Sequence, residues 1–170
     1  MYDALDEIQL NEIRMQKDII NALRKKGIAV MMEGVGHISL GDLKKYVKLI
    51  REEFYVPFMP LGPIPTDRAI GWDHVSAAIG ATYMALLDGA DIINAVTREE
   101  HTGGIPTKNS IYEAIKSAQV VVNCINDVRF FEKYNKPQSN KKNNCMGIIK
   151  EDIGCDRCKE ECPFLLNTVF

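Results

Sequence analysis

Residues 28–40 read IAVMMEGVGHISL. The run from Ile28 to Glu33 is nearly unbroken in apolar residues and too short for a helix, so it predicts a strand. Gly34, Val35 and Gly36 then break the regular pattern and carry the chain into a loop holding His37. Strands with such unbroken apolar runs are buried on both faces, which is the habit of parallel sheets covered by helices.

The neighbouring segments repeat this rhythm. Upstream, LDEIQLNEIRMQKDIINALRKKG places Leu5, Ile8, Ile13, Ile19, Ile20 and Leu23 near one helical face, with basic residues in the last turn and Gly27 positioned to end the helix. Downstream, Leu43, Tyr46, Val47 and Ile50 predict a helix from about Gly41 to Glu53. VPFMPL predicts a second strand, and the prolines after it postpone the next helix to Asp73–Leu87. DIINAV predicts a third strand, TREEHTGGIPTKNS a loop, and Ser110 to about Tyr134 a long amphipathic helix. Strands alternating with helices define an α/β fold with a parallel sheet.

Composition narrows the function. The 170 residues are 46% apolar, enough for a globular domain with its own core, and the net charge is −2 from 21 basic and 23 acidic residues. The longest single-sign block is Arg24-Lys25-Lys26, so neither nucleic acid nor a membrane surface is indicated. The acidic start, MYDALDEIQL, has no apolar core of a signal peptide, and no apolar run approaches the roughly 18 residues of a membrane span. A cytoplasmic setting is expected, in which clustered thiols more often hold metals or carry redox chemistry than form disulfides.

Polar groups gather where the strands end. Glu33 and His37 follow the first strand, Thr66, Asp67 and His74 the second, and Glu99, Glu100 and His101 the third. That end of a parallel α/β sheet carries the chemistry. Any one of these histidines could be a solvated loop residue, and Asp73-His74 could cap the following helix. Two histidines in glycine-containing loops, each near a glutamate, point to a metal or proton-transfer site. After Tyr134 the polar run NKPQSNKKNN reads as a linker (135–147), leading to a tail (148–170) with GCDRCKEEC, Gly154–Cys162. Cys155, Cys158 and Cys162 there suit a disulfide, zinc or an iron-sulfur cluster. With Cys145 they also make a four-thiolate zinc set.

MMEGVGHISL, PFMPLGPIPTDRAIGWDHVSAAIGA and AVTREEHTGGIP, followed by CxxCxxxC, resemble the second half of the phosphomethylpyrimidine synthase (ThiC) family. The likeness extends to about Ile105 and resumes at the cysteines. It implies an α/β fold that is a partial (β/α) barrel of parallel strands over residues 1–134, with a C-terminal cysteine-rich cluster-binding tail. It implies a radical S-adenosylmethionine lyase that converts aminoimidazole ribotide to hydroxymethylpyrimidine phosphate in thiamine biosynthesis. By position, His37 and His101 correspond to the family's metal ligands, zinc or iron. Glu33 corresponds to a substrate-contacting and catalytic glutamate, and Cys155, Cys158 and Cys162 to the ligands of a [4Fe-4S] cluster. Three thiolates leave one iron open to S-adenosylmethionine, and the 5′-deoxyadenosyl radical of such enzymes would take hydrogen from the ribose. His74 falls in a family motif without an assigned metal role.

The departures are specific. Met59 stands where the family has a substrate-contacting tyrosine, Val35 and Ile70 where it has prolines, Trp72 where it has tyrosine, and Gly103-Gly104 where it has a single glycine. Losing a phenol removes a hydrogen bond to substrate, which leaves room for a paralogue such as 5-hydroxybenzimidazole synthase. The three expected strands fall short of the eight in such a barrel. The resemblance therefore implies a homo-oligomer, a domain-exchanging dimer, or a complementary N-terminal half as partner, beside a small ribotide substrate. A zinc-binding module and a non-catalytic metal-binding remnant are the competing readings.

Overall fold

The computed structural model describes residues 5–130, together with the backbone of Ile148–Ile149 and Asp152–Ile153. The chain divides into two units, 1–129 and 130–170, taken here separately. In order, the first holds α1 (Glu7–Lys25), β1 (Met32–Gly34), α2 (Leu40–Glu53), β2 (Phe58–Pro60), α3 (Asp73–Leu86), a 3₁₀ turn (Glu100–Thr102) and α4 (Lys108–Arg129). In the second, β3 (Ile148–Ile149) pairs antiparallel with β4 (Asp152–Ile153). The tail beyond Ile153 with its three cysteines, the linker and the stretch 131–134 expected to continue α4 lie outside the described residues.

Helices α1, α2 and α4 begin where their sequences supply a cap. The Asp6 carboxylate accepts from Gln9 N at 2.7 Å and Ser39 Oγ from Asp42 N at 3.2 Å. Thr107 Oγ1 accepts from Ser110 N at 3.1 Å, while Ser110 Oγ accepts from Thr107 N at 2.8 Å. This reciprocal box starts α4 two residues before the expected Ser110. Gly27, at φ +75°, follows α1 in the left-handed conformation that glycine tolerates best.

β1 and β2 pair in parallel, with Met32 opposite Phe58 and Glu33 opposite Met59. The pleat sends Met32 and Phe58 into the core and Glu33 and Met59 to the other face. With Met32 and Phe58, one buried core unites Leu43, Tyr46, Val47 and Ile50 of α2, Ala81 and Met84 of α3, Ile13 and Ile20 of α1, and Val121 and Ile125 of α4. The four α2 residues follow the i, i+3, i+4, i+7 pattern read from sequence. On α1 the reading was too generous: Ile8 and Ile19 are 79% and 57% exposed. Ile13 and Ile20, seven residues apart, share a face, whereas Ile8 and Ile19 point well away from it at 100° per residue.

The expected third strand, DIINAV, is not a strand among the described residues. Asp91 N and Ile92 N both donate to Phe58 O, at 2.9 and 3.2 Å. The segment therefore reaches the free edge of β2, but Phe58 N donates to the Asp91 carboxylate at 2.9 Å instead of to a backbone carbonyl. A side chain occupies the place of the next ladder bond, and Arg51, 2.9 Å from the same carboxylate, fixes it there.

Gly34 carries the tightest part of this core. A Cβ there would lie 2.0 Å from Phe58 Cζ and 2.8 Å from the Tyr46 hydroxyl. That hydroxyl accepts from Val35 N at 3.3 Å. Burial pushes the Tyr46 phenol up to about 12, against the smaller opposing effect of this bond. The folded state disfavours the phenolate, so this contribution to stability is complete below pH 10 and is lost as pH rises from 10 through 12. In an alkaline titration read by tyrosinate absorbance, Tyr46 should be the late-ionising group, and Tyr46→Phe should delete that step. The variant should also lose about 1 kcal/mol, because Val35 N–H loses its partner. A Tyr46→Phe titration identical to the parent's would refute the assignment.

Candidate metal centre

The site is assembled by the continuation of the two strands. Beyond β1 the backbone goes on pairing with the segment after β2: Leu61 N donates to Gly34 O at 3.1 Å, Ile64 N to Gly36 O at 2.7 Å, and Ile38 N to Ile64 O at 3.2 Å. His37 thus lies across from Ile64 in a parallel bridge, and Asp67 follows three residues on. Asp73 begins α3, and His101 occupies the middle of the 3₁₀ turn, which Gly103 ends in the left-handed conformation at φ +60°.

These side chains converge. His37 Nδ1 is 2.8 Å and His101 Nε2 3.1 Å from the same oxygen, Asp67 Oδ1. The two rings meet edge to face, with centroids 4.8 Å apart and planes at 88°. One donor atom from each of His37, Asp67 and His101 lies within 4.8 Å of the others. On the far side of His101, Nδ1 is 2.5 Å from Asp73 Oδ1, and the backbone N donates to Asp73 Oδ2 at 3.0 Å. The Asp73 side chain is fully buried, that of His101 is 11% exposed, and those of His37 and Asp67 are open to solvent at 41% and 38%.

The electrostatics follow from the contacts. Hydrogen bonds from His37, then His101, hold the Asp67 carboxyl well below the usual carboxylate range, so it is anionic at any physiological pH, as a ligand must be. For His101, burial pushes the imidazole down, but hydrogen bonds to Asp67 and Asp73 and the charges of both carboxylates outweigh it, and its affinity for a proton is raised. With a carboxylate at each ring nitrogen, His101 needs two positive partners: two protons, or one proton and a cation. Two imidazoles and a carboxylate form a donor set suited to zinc or ferrous iron, with coordination positions left for other ligands.

Other residues singled out from sequence fall elsewhere. Glu33 is exposed and lines a cleft of about 380 Å³ with Gln9, Glu12 and Gln16 of α1; His37, Asp67 and His101 are not part of its wall. Met59, half-buried, shares the sheet face of Glu33. His74 is buried one residue after Asp73, stacked on Trp72 at 5.9 Å, and its Nδ1 has no hydrogen-bond partner among the described residues. Cys145, Cys155, Cys158 and Cys162 lie outside the described residues. The chain's remaining cysteine, Cys124, is exposed on α4. The sequence marks Asp67 as one of the polar residues after the second strand, with no metal role, and offers Asp73-His74 as a cap of the following helix. The available signal was their position between the second strand and the start of α3, in a segment already bearing a histidine.

The loops trailing a parallel strand pair carry His37 and Asp67, and the 3₁₀ turn brings His101 onto the same carboxylate, a donor set that could hold a metal ion in a mixed helix and sheet protein. The profile of the Radical SAM ThiC family matches residues 1–162, and the chain belongs to that family. It is 37% identical over 123 residues to the phosphomethylpyrimidine synthase of Thermoanaerobacter sp. (strain X514), covering 72% of this chain and 28% of the relative. The proteins of the same name from Thermococcus gammatolerans and Pyrococcus abyssi are 35% and 34% identical over 135 residues, 79% of this chain and 31% of each relative. The chain thus spans about three-tenths of the length of these relatives. Among the described residues no helix is long and apolar enough to cross a membrane.

Proposed function

We propose that this chain is the metal- and cluster-bearing C-terminal portion of a radical S-adenosylmethionine lyase of the phosphomethylpyrimidine synthase type, acting on aminoimidazole ribotide in thiamine biosynthesis. The observation that carries this reading is the convergence of His37 and His101 on Asp67 in a chain of this family. His37, His101 and Asp67 would hold a divalent ion, which supplies Lewis-acid or templating chemistry when bound. Cys155, Cys158 and Cys162 would provide the three thiolates of a [4Fe-4S] cluster, which when bound would supply the electron for S-adenosylmethionine cleavage.

The protein's own groups prepare the site. Asp67 brings a fixed negative charge to its solvent-facing side, and the burial of His101 against Asp73 limits ring movement. Glu33, on the cleft beside α1, is suited to receive N–H or O–H donors of a ribotide or to exchange a proton with it. Met59 beside it offers thioether and methyl surface in place of a phenol, which favours as second reading a paralogue such as 5-hydroxybenzimidazole synthase. The partner is a complementary N-terminal half or a further copy of the chain, since the described parallel sheet has two strands and so small a sheet rarely stands alone.

Anaerobic reconstitution with iron and sulfide tests the proposal. The expected result is a reduced-cluster EPR signal whose shape changes on adding S-adenosylmethionine. A tail that takes up only zinc, or a signal indifferent to the cofactor, would overturn it.

A further inference from the structure

Asp73 has a surrounding that a helix cap does not account for. It is the first residue of α3, yet the cap position belongs to Trp72, with no side-chain cap bond. Both Asp73 oxygens are engaged by one residue 28 positions away: Oδ2 accepts from His101 N at 3.0 Å, and Oδ1 lies 2.5 Å from His101 Nδ1. The carboxylate is fully buried, a placement that costs free energy unless its charge is satisfied. The positive end of α3 supplies part of that satisfaction and His101 the rest.

We infer that Asp73 is a positioning residue for the metal centre, holding the proton of His101 on Nδ1 and presenting Nε2 toward Asp67 and His37. This rests on the reading of His101 as a metal ligand. A neutral imidazole has one N–H and one lone pair, and a ligand must offer the lone pair. Of the two carboxylates at the ring, Asp73 is the nearer, 2.5 Å against 3.1 Å, and the buried one, so it holds its proton on Nδ1 and leaves Nε2 as the nitrogen that exchanges a proton for a cation, with raised basicity. The second bond, to the backbone N–H of His101, sets the ring's origin as well as its rotation. The carboxylate therefore constrains both ends of the side chain that brings Nε2 to 3.1 Å from Asp67 Oδ1. His37 has no comparable brace among the described residues, and its Nδ1 meets Asp67 directly.

The test uses the full chain with ¹⁵N-labelled histidine, zinc as probe, and Asp73→Asn. In the parent, the neutral His101 ring should carry its proton on Nδ1, and zinc should shift the Nε2 resonance. In Asp73→Asn, zinc affinity should fall by roughly 10- to 100-fold, and the His101 proton should divide between both nitrogens. Parent spectra with the proton on Nε2, or an Asp73→Asn chain that binds zinc as tightly as the parent with an unchanged tautomer, would overturn the inference. Should Asp73→Asn fail to fold, the parent spectrum alone decides. A parent chain that takes up no zinc overturns the metal reading instead, while its metal-free ring spectrum still decides the assignment to Asp73.

Discussion

Replacing His37 or His101 with alanine should weaken divalent-metal binding by at least about 100-fold, because a residue that donates directly should matter at least as much as those that only orient a donor. The two variants should differ in everything else. His37 is 41% exposed, and its contact is with a carboxylate that is itself open to solvent, so His37→Ala should leave the metal-free melting temperature nearly unchanged. His101 neutralises and hydrogen-bonds the fully buried Asp73. His101→Ala strands that carboxylate and should lower the melting temperature as well as the affinity. Calorimetric titration with zinc or cobalt(II), beside thermal melts of the metal-free proteins, separates the two effects. Affinity unchanged in either variant would remove that histidine from the centre. An unchanged melt in His101→Ala would mean that Asp73 finds its partners elsewhere.

This split between two outwardly similar histidines shows what sequence can and cannot carry. His37 is legible as the residue after a strand, because an apolar run and glycines mark where β1 ends, whereas His101 follows DIINAV, which reads as a strand and is not one. The α2 face was legible for the same reason: Leu43, Tyr46, Val47 and Ile50 repeat at helical spacing and are all buried. Asp67 was legible only as one of several polar residues after the second strand, and Asp73 only as a cap. A carboxylate in a loop or a first helical turn looks the same whether it faces water or an imidazole, and the contact that distinguishes them spans 28 to 34 residues. DIINAV failed as a strand for a related reason. Its composition is that of a strand, but a ladder is a property of two edges, and Asp91 spends its side chain on the edge of β2. Glu33 was read together with His37 from proximity in sequence. The pleat sends it into a cleft whose wall does not include the histidines.

Gly80→Ala tests the packing that brings these loops together, and propensity and contact predict opposite signs for it. In a helix interior alanine is favoured over glycine by about 1 kcal/mol, so α3 considered alone should be stabilised. In the folded chain the added Cβ would lie 2.1 Å from Pro63 O, 2.9 Å from Pro63 C and 3.1 Å from Pro65 Cδ. The first two are backbone atoms that no rotamer change can clear, so α3 and the 63–65 segment must separate by roughly 1 Å to restore ordinary contact. That separation opens the small cluster of Ile64, Ala77 and Val96, all buried. Overpacking of this kind costs about 3 kcal/mol, a fall of roughly 10 °C in melting temperature for a unit of this size. The damage should also reach the metal centre. Ile64 pairs with the His37 backbone and Asp67 follows it in the chain, while Asp73 and through it His101 travel with α3, so the displacement moves the two sides of the site apart. Zinc affinity should therefore fall together with the melting temperature, although Gly80 supplies no ligand. A variant that melts at or above the parent temperature would show that helix propensity governs this position and that α3 does not need its close approach to Pro63.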